Sequence, residues 1–391
     1  MTASDASPVH AGAPRDTRDV ADAVRDADAS RTGLRIRAGG TWMEAGTPVA
    51  PGLRTLDVGA LRGIVEYVPG DLTLTARAST TLAEIDEATR PHAQWLPLDP
   101  FAAPGATLGA TLATASWGPL SGSIGLPRDL TIGLEFVDGR GIVVRGGGRV
   151  VKNVAGFDLV RLTVGAWGTL GIITEVSVRL RARPPRECTL ALDAPRAPEA
   201  LAPLLRTLRD APLTPLALEL VDGALARRLD VGNEATILVR LAGNDAALAA
   251  QRTLVESLGI THEVPTECWG RLQGSLPQGA HTIRASRRPS ELAALWHDLG
   301  RCVAVIPGAY RQATLERGIV RLIVPADAAL ALHGQLAGLA ERWRLIGEQL
   351  PAESWGLLPG EANARLASNV RQAFDPRHLL NPGLVTPAST A

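Results

Sequence analysis

Glycine gathers in five short clusters, at 39–40, 105–109, 118–125, 146–148 and 165–171, all in the first half of the chain. Glycine has no Cβ to hold a ligand off the backbone. Successive amides in glycine turns form a concave set of donors suited to phosphate. Each cluster alone is compatible with ordinary turns, but together they point to loops that bring backbone close to a ligand. Two common phosphate-binding designs do not fit. The run Gly165-Ala-Trp-Gly168-Thr-Leu-Gly171 leads into a β-branched, alternating stretch (172–180) and not into a helix, so a strand–glycine–helix dinucleotide fold is excluded there. The stretch Gly148-Arg-Val-Val-Lys152 lacks the Gly-Lys-Ser/Thr order of a P-loop.

At 391 residues the chain exceeds one hydrophobic core, which predicts two domains. Periodicity predicts helices at 16–29 and 82–90, and strands at 34–38, 72–78, 131–137, 141–145 and 171–180. Asp138-Gly139 reads as a hairpin turn. The segment 158–164 fits a helix or a strand. Arg181-Ala-Arg-Pro-Pro185 marks a boundary. Beyond it, strand-like runs (189–192, 217–221, 236–241, 282–285, 303–306, 320–324) alternate with Ala/Leu helices (199–209, 246–258, 289–299, 326–343). That pattern predicts a ferredoxin-like α+β module with two loose βαβ units. A tail helix is expected over 360–374. The expected division is a flexible 1–14, a first domain at 15–182, a second at 183–350, and a 351–391 segment returning to the first.

Charge and cysteine content narrow the function. Forty acidic residues balance forty basic ones. There is no electrostatic footprint for nucleic acid and no basic run for an anionic membrane, so ligand charge has to be met locally. Cys188, Cys268 and Cys302 are odd in number and far apart, which argues against a disulfide framework, a zinc site or an iron–sulfur cluster. No metal site is expected. Residues 1–14 lack the apolar core of a signal peptide, and no run approaches the ~18 apolar residues of a membrane span. The cytoplasm is the expected compartment, with inner-membrane contact only through partners.

Five ordered motifs carry a family resemblance. Lys152-Asn-Val-Ala-Gly156-Phe157-Asp158-Leu-Val-Arg-Leu162-Thr-Val-Gly165-Ala-Trp-Gly168-Thr-Leu-Gly171-Ile-Ile-Thr-Glu175 resembles the FAD-binding (PCMH-type) domain of the vanillyl-alcohol oxidase/p-cresol methylhydroxylase superfamily. Leu34-Arg-Ile-Arg-Ala-Gly39-Gly40-Thr41 resembles its pyrophosphate loop. Thr107-Leu-Gly109-Ala-Thr111 and Gly125-Leu-Pro-Arg128-Asp129-Leu-Thr-Ile-Gly133 resemble the next two signatures. Phe374-Asp-Pro-Arg-His-Leu-Leu-Asn381-Pro-Gly383 resembles the closing tail. Within the superfamily the likeness is greatest to the FAD-binding E subunit of glycolate oxidase.

The resemblance implies an α+β fold: a two-subdomain PCMH-type FAD-binding domain plus a smaller ferredoxin-like α+β cap domain. It implies FAD as cofactor, a small glycolate-like 2-hydroxy acid as substrate, and a hetero-oligomer with a larger flavin subunit and an iron–sulfur subunit. By the same resemblance, amides of Gly39, Gly40, Thr41 and Trp42 would hold the diphosphate. Thr107, Leu108, Gly109 and Thr111 would line the second side, with Ser116 and Gly118 nearby. Gly171 and Ile172 would pass backbone groups along the ring systems, and Asn381 would approach the flavin from the tail. The 39–42 loop contains neither His nor Cys, which predicts a flavin held without a covalent bond.

Lys152 is the chain's one lysine among 40 lysine and arginine residues. Retention of a compact ammonium suggests a point charge facing a phosphate or the reduced flavin; the alternative is a leftover surface residue. Oxidising a 2-hydroxy acid also requires a base, commonly histidine, and a cation for the carboxylate. The larger catalytic relatives carry Gly-Asp-Gly-Asn-x-His, which this chain lacks, and its seven histidines are isolated. His378 is the best candidate because it shares the tail with Asn381, against a surface or helix-end histidine. Arg284, Arg287, Tyr310 and Arg311 are cap residues whose simplest reading is a solvated basic face. Three functions stay open: a redox subunit of a 2-hydroxy-acid dehydrogenase, a flavin-binding assembly or electron-transfer scaffold without turnover, and a self-standing FAD oxidase of another alcohol.

Overall fold

The structure is a computed structural model and describes residues 13–101, 105–148, 158–358 and 364–384. Lys152 and most of the 1–14 stretch lie outside the described residues.

The chain opens with the helix Thr17–Ser30. The Asp16 carboxylate accepts from the Asp19 amide (2.9 Å), satisfying one of the orphan donors at a helix start. Its apolar stripe, Val20, Val24 and Ala27, is fully buried against a parallel pair of strands, β1 (Leu34–Arg37) and β2 (Arg54–Asp57). A second layer follows from β3 (Ile64–Val68), β4 (Thr73–Arg77), β6 (Thr131–Val137), β7 (Val143–Gly147) and β8 (Ile172–Arg179). They form an antiparallel sheet of order β3-β4-β8-β6-β7. A short pair, β5 (Gln94–Trp95) with β9 (Arg181–Ala182), sits beside it. The helices Leu82–Thr89 and Leu108–Thr114 cover one sheet face through Ile85, Leu108 and Leu112.

β8 belongs to both layers. A register shift at Thr174 interrupts its alternation, so Ile172 packs in the core of the β1–β2 subdomain while Ile173, Val176 and Val178 all pack in the core of the larger sheet. The two subdomains therefore meet at the start of β8.

The second half builds an eight-stranded antiparallel sheet from β10 (Arg186–Asp193), β11 (Ala217–Val221), β12 (Thr236–Gly243), β13 (Thr261–Val264), β14 (His281–Ser286), β15 (Tyr310–Thr314), β16 (Ile319–Val324) and β17 (Leu345–Gln349). Its order, β13-β10-β12-β11-β15-β16-β14-β17, is two ferredoxin-like units joined edge to edge at β11–β15. The helices Pro198–Asp210, Asp245–Glu256, Leu292–Val305 and Ala329–Arg342 contribute to its main core. The expected strand at 303–306 is a correction. Leu292, Leu295, Leu299, Cys302 and Ile306 continue one helical stripe, so the helix runs on to Val305 and the strand starts after Pro307-Gly308. The 158–164 ambiguity resolves as the helix Leu159–Thr163, capped by Asp158 on the Arg161 amide (3.0 Å).

The cap docks on the first half through a polar seam. Ser123 donates to the Leu216 carbonyl (2.6 Å), and Gly46 donates its amide to the Glu348 carbonyl (2.7 Å). Arg321 makes two bonds to Glu348 (2.6 and 3.0 Å) and lies over the Phe101 ring (4.3 Å). Arg284 packs on Trp117, and Arg311 on Trp296, so these two cap arginines stack on rings and are not the solvated face the sequence suggested. Glu219 on β11 is fully buried. Burial pushes its pKa up to about 8, although Thr314 donates to one oxygen (2.6 Å) and Arg321 pulls the other way. Asp99 and Glu316, its acidic neighbours, are each raised to about 7, again by burial.

A carboxyl whose pKa is raised on folding holds its proton where the unfolded chain has released it, so native stability falls as pH climbs from the ordinary carboxylate range to the raised value. Glu219→Gln is therefore expected to leave the melting temperature unchanged at pH ~4, below the ordinary carboxyl pKa, and to raise it by about 3 °C or more at pH ~8. Thermal melts at the two pH values check this; an equal shift at both would contradict it.

Candidate functional site

Between the two subdomains lies a cleft enclosing about 710 Å³, part of it open to solvent. One wall is the end of β1 and the loop after it: Arg35, Ile36, Ala38 and Gly40 to Met43. The other comprises Trp167, Gly168 and the Gly171–Ile173 start of β8, with Gly109, Ala110, Ala113 and Thr114 from the helix Leu108–Thr114. Val58, Ala78, Ser79, Asn381 and Leu384 complete the lining. Among the described residues no Asp, Glu or His lines it.

The loop after β1 is shaped for donation. Gly40 has φ +80°, and a Cβ there would meet only Arg37 Nε at 3.8 Å, so backbone handedness and not crowding requires glycine. No described residue accepts a hydrogen bond from the amides of Gly39, Gly40, Thr41 or Trp42. Three of those four residues line the cleft. Four successive unspent donors beside an acid-free cleft suit an anionic, phosphate-bearing ligand.

The helix Leu108–Thr114 is placed differently. Its first amides go to protein: Leu108 to the Thr80 carbonyl (2.9 Å), Gly109 to that of Ala78 (2.7 Å), and Ala110 to the Thr107 hydroxyl (3.4 Å). A Cβ on Gly109 would come within 2.6 Å of the Ala78 methyl, and one on Gly171 would overlap the Phe136 ring. These two glycines line the cleft because helix and strand must approach closely beneath it.

Asn381 is a strut. Its backbone sits at φ +44°, its Oδ1 accepts from the Ile36 amide (3.0 Å), and its Nδ2 donates to the Trp167 carbonyl (2.9 Å). One side chain thus ties one wall to the other. Both its polar atoms are engaged within the protein, and the residue lies on the cleft lining, the position from which the resemblance has it approach the flavin.

Of the remaining sequence candidates, Gly40, Thr41, Trp42, Gly109, Gly171 and Ile172 come together on the cleft. Gly39 packs by the Gly105 carbonyl at its rim. Thr107 is a buried helix cap, Leu108 is core, and the Thr111 hydroxyl donates back to the Thr107 carbonyl (2.8 Å). Ser116 donates its amide to the Thr111 carbonyl, and Gly118 packs on Asp99; neither lines the cleft. His378 is exposed, occupies a left-handed turn position that follows Asp375, and does not line the cleft. Sequence reasoning missed Arg35, Met43, Trp167 and Gly168. Alternation in Leu34-Arg-Ile-Arg puts Arg35 on the face opposite Leu34, a signal that was present but reads as solvent-facing.

The FAD binding domain family matches residues 9–147. Glycolate oxidase subunit GlcE of Escherichia coli is 34% identical over 263 residues, covering 66% of this chain and 72% of that protein. The chain belongs to the PCMH-type FAD-binding family of flavin-linked oxidoreductases. Glycolate oxidase subunit GlcD of Bacillus subtilis is 32% identical over 54% of this chain, but the match spans only 44% of its own length. In fold, p-cresol methylhydroxylase with substrate bound superposes with a TM-score of 0.75 at 15% identity, covering 97% of this chain and 88% of that one. This PCMH-type cleft therefore lies where two α+β subdomains meet, with the eight-stranded cap alongside.

Asn381→Ala leaves the part-buried Ile36 amide and the Trp167 carbonyl without partners and puts alanine at a left-handed position. The expected cost is about 2 kcal/mol of stability. FAD retention should fall with it, because both walls lose their tie. Thermal melts and the ratio of flavin to protein absorbance after gel filtration check both effects.

Proposed function

We propose that this chain is the FAD-binding subunit of a 2-hydroxy-acid dehydrogenase complex of the glycolate oxidase kind, with FAD held without a covalent bond. The observation that carries the reading is the row of four unspent amides, Gly39 to Trp42, on an acid-free cleft, in a chain 34% identical to glycolate oxidase subunit GlcE. When bound, FAD supplies the two-electron acceptor that a 2-hydroxy acid needs to become a 2-oxo acid. The chain's own residues bind and orient it: amides of 39–42 toward the diphosphate, the 167–173 wall along the rings, and Asn381 holding the walls apart at a fixed spacing. The expected partners are a larger flavin subunit and an iron–sulfur subunit. No helix of the described residues is long and apolar enough to cross a membrane.

A second reading has its own support. No described residue on the cleft can act as a carboxylate or histidine base. At the seam between cap and FAD domain, Trp117 lies under both Arg284 and Arg321, and Arg321 is spent on Glu348. In that reading the chain binds FAD for assembly or electron transfer, and substrate turnover belongs to a partner subunit.

The deciding experiment purifies the chain alone and co-expressed with its partners, records the visible spectrum, and adds glycolate without oxygen. Yellow protein in both preparations, with bleaching by glycolate, is expected under the first reading. Bleaching confined to the complex supports the second. Colourless preparations with no FAD released on denaturation would overturn both.

A further inference from the structure

Two arginines in the described structure are buried, Arg321 at 4% exposure and Arg35 at 8%. They are treated differently. Arg321 has a two-pronged partner in Glu348. Arg35 has no acidic partner among the described residues; its Nη2 donates to the Met43 carbonyl at 2.7 Å. Burial alone lowers its pKa, with no carboxylate lifting it back. A buried charge without a counter-ion is strongly destabilising, and most proteins neutralise or remove it. Yet Arg35 stands on β1, lines the cleft, and is held by the carbonyl of a residue in the same loop that carries the four unspent amides.

We propose that Arg35 is the cleft's counter-charge for a dinucleotide diphosphate, completing with the amides of residues 39–42 a site in which Arg35 is the one cationic side chain among the described lining residues. The inference rests on the FAD reading above and adds to it a residue and an electrostatic role. In a chain of zero formal net charge the anion has to be met locally, and an otherwise acid-free lining leaves nothing to cancel Arg35. The Met43 bond fixes the guanidinium beside the loop and leaves other donors of its five for the ligand. The site is preorganised at the expense of the apo protein, which carries an uncompensated buried cation until the ligand arrives.

The test measures binding and apo stability separately from turnover. Full-length apo protein is titrated with FAD and with riboflavin, which lacks phosphate, for wild type, Arg35→Met and Arg35→Lys. The wild type should bind FAD more tightly than riboflavin. Arg35→Met should weaken FAD by about tenfold or more and leave riboflavin unchanged, and it should flatten the salt dependence of FAD binding. Arg35→Lys should recover most of the lost affinity. The apo melting temperature of Arg35→Met should stay level or rise, because an unpaired buried charge has gone. Equal FAD affinity in wild type and Arg35→Met overturns the proposal. So does an equal loss for FAD and riboflavin, or a fall in apo stability that Arg35→Lys shares, since each makes Arg35 a shaping residue. A wild type that binds neither ligand overturns the FAD reading itself, which is a distinguishable result.

Discussion

The fold closes on a return. After the whole cap has been built, the tail comes back to β1: Leu34 donates its amide to the Leu379 carbonyl (2.7 Å), Asn381 donates to that of Leu34 (2.8 Å), and Leu380 is fully buried in the first subdomain's core. Asp375 organises this segment by accepting from the Leu379 and Leu380 amides (2.9 and 2.8 Å) while itself fully buried. Phe374 packs toward Phe136 on β6, their centroids 6.0 Å apart, and its carbonyl takes the Gly139 amide. The tail therefore touches both subdomains before Asn381 bridges their facing walls. Without it, β1 would keep only β2 as a strand partner, and a two-stranded pair has little stability of its own.

Much of the fold was legible because the first half obeys local rules. The helix after Asp16, the strands 131–137 and 171–180, and the cap helices expected at 199–209 and 246–258 follow from periodicity and capping and formed within two residues of expectation, whereas the one expected at 289–299 became Leu292–Val305. What failed did so for tertiary reasons. Val303 to Ile306 is β-branched enough to suggest a strand, but the buried stripe Leu299, Cys302, Ile306 rewards another turn of helix. The two loose βαβ units proved to be two whole ferredoxin-like units, because β13 and β17 are short edge strands whose identity depends on the neighbour they pair with.

The site was legible to a smaller depth. Motif likeness reached the glycine loops and Asn381, and the structure brings most of them to one cleft. It did not separate glycines that a ligand needs from those that packing needs. Gly40 is open and left-handed, whereas Gly109 and Gly171 are pinned by Ala78 and Phe136. Nor did it find Arg35, because a buried arginine on a short alternating strand looks like any exposed one until the loop beyond it folds back over the guanidinium.

The cleft is also tied mechanically to the cap. The same loop that supplies the free amides ends at Gly46, whose amide binds the Glu348 carbonyl on β17, and Glu44 accepts from Gln349 one residue further on. Glu348 in turn holds Arg321, which stacks on Phe101 and Trp117 of the first domain. Burial alone would raise the Glu348 carboxyl, but Arg321 and Arg284 hold its pKa below the usual range, so this anchor stays ionised where Glu219, Asp99 and Glu316 take up protons. One short stretch of chain therefore shapes one wall of the cleft at one end and contacts the cap at the other. The loop that forms one wall of the cleft is thus joined to the cap by the Gly46–Glu348 and Glu44–Gln349 hydrogen bonds.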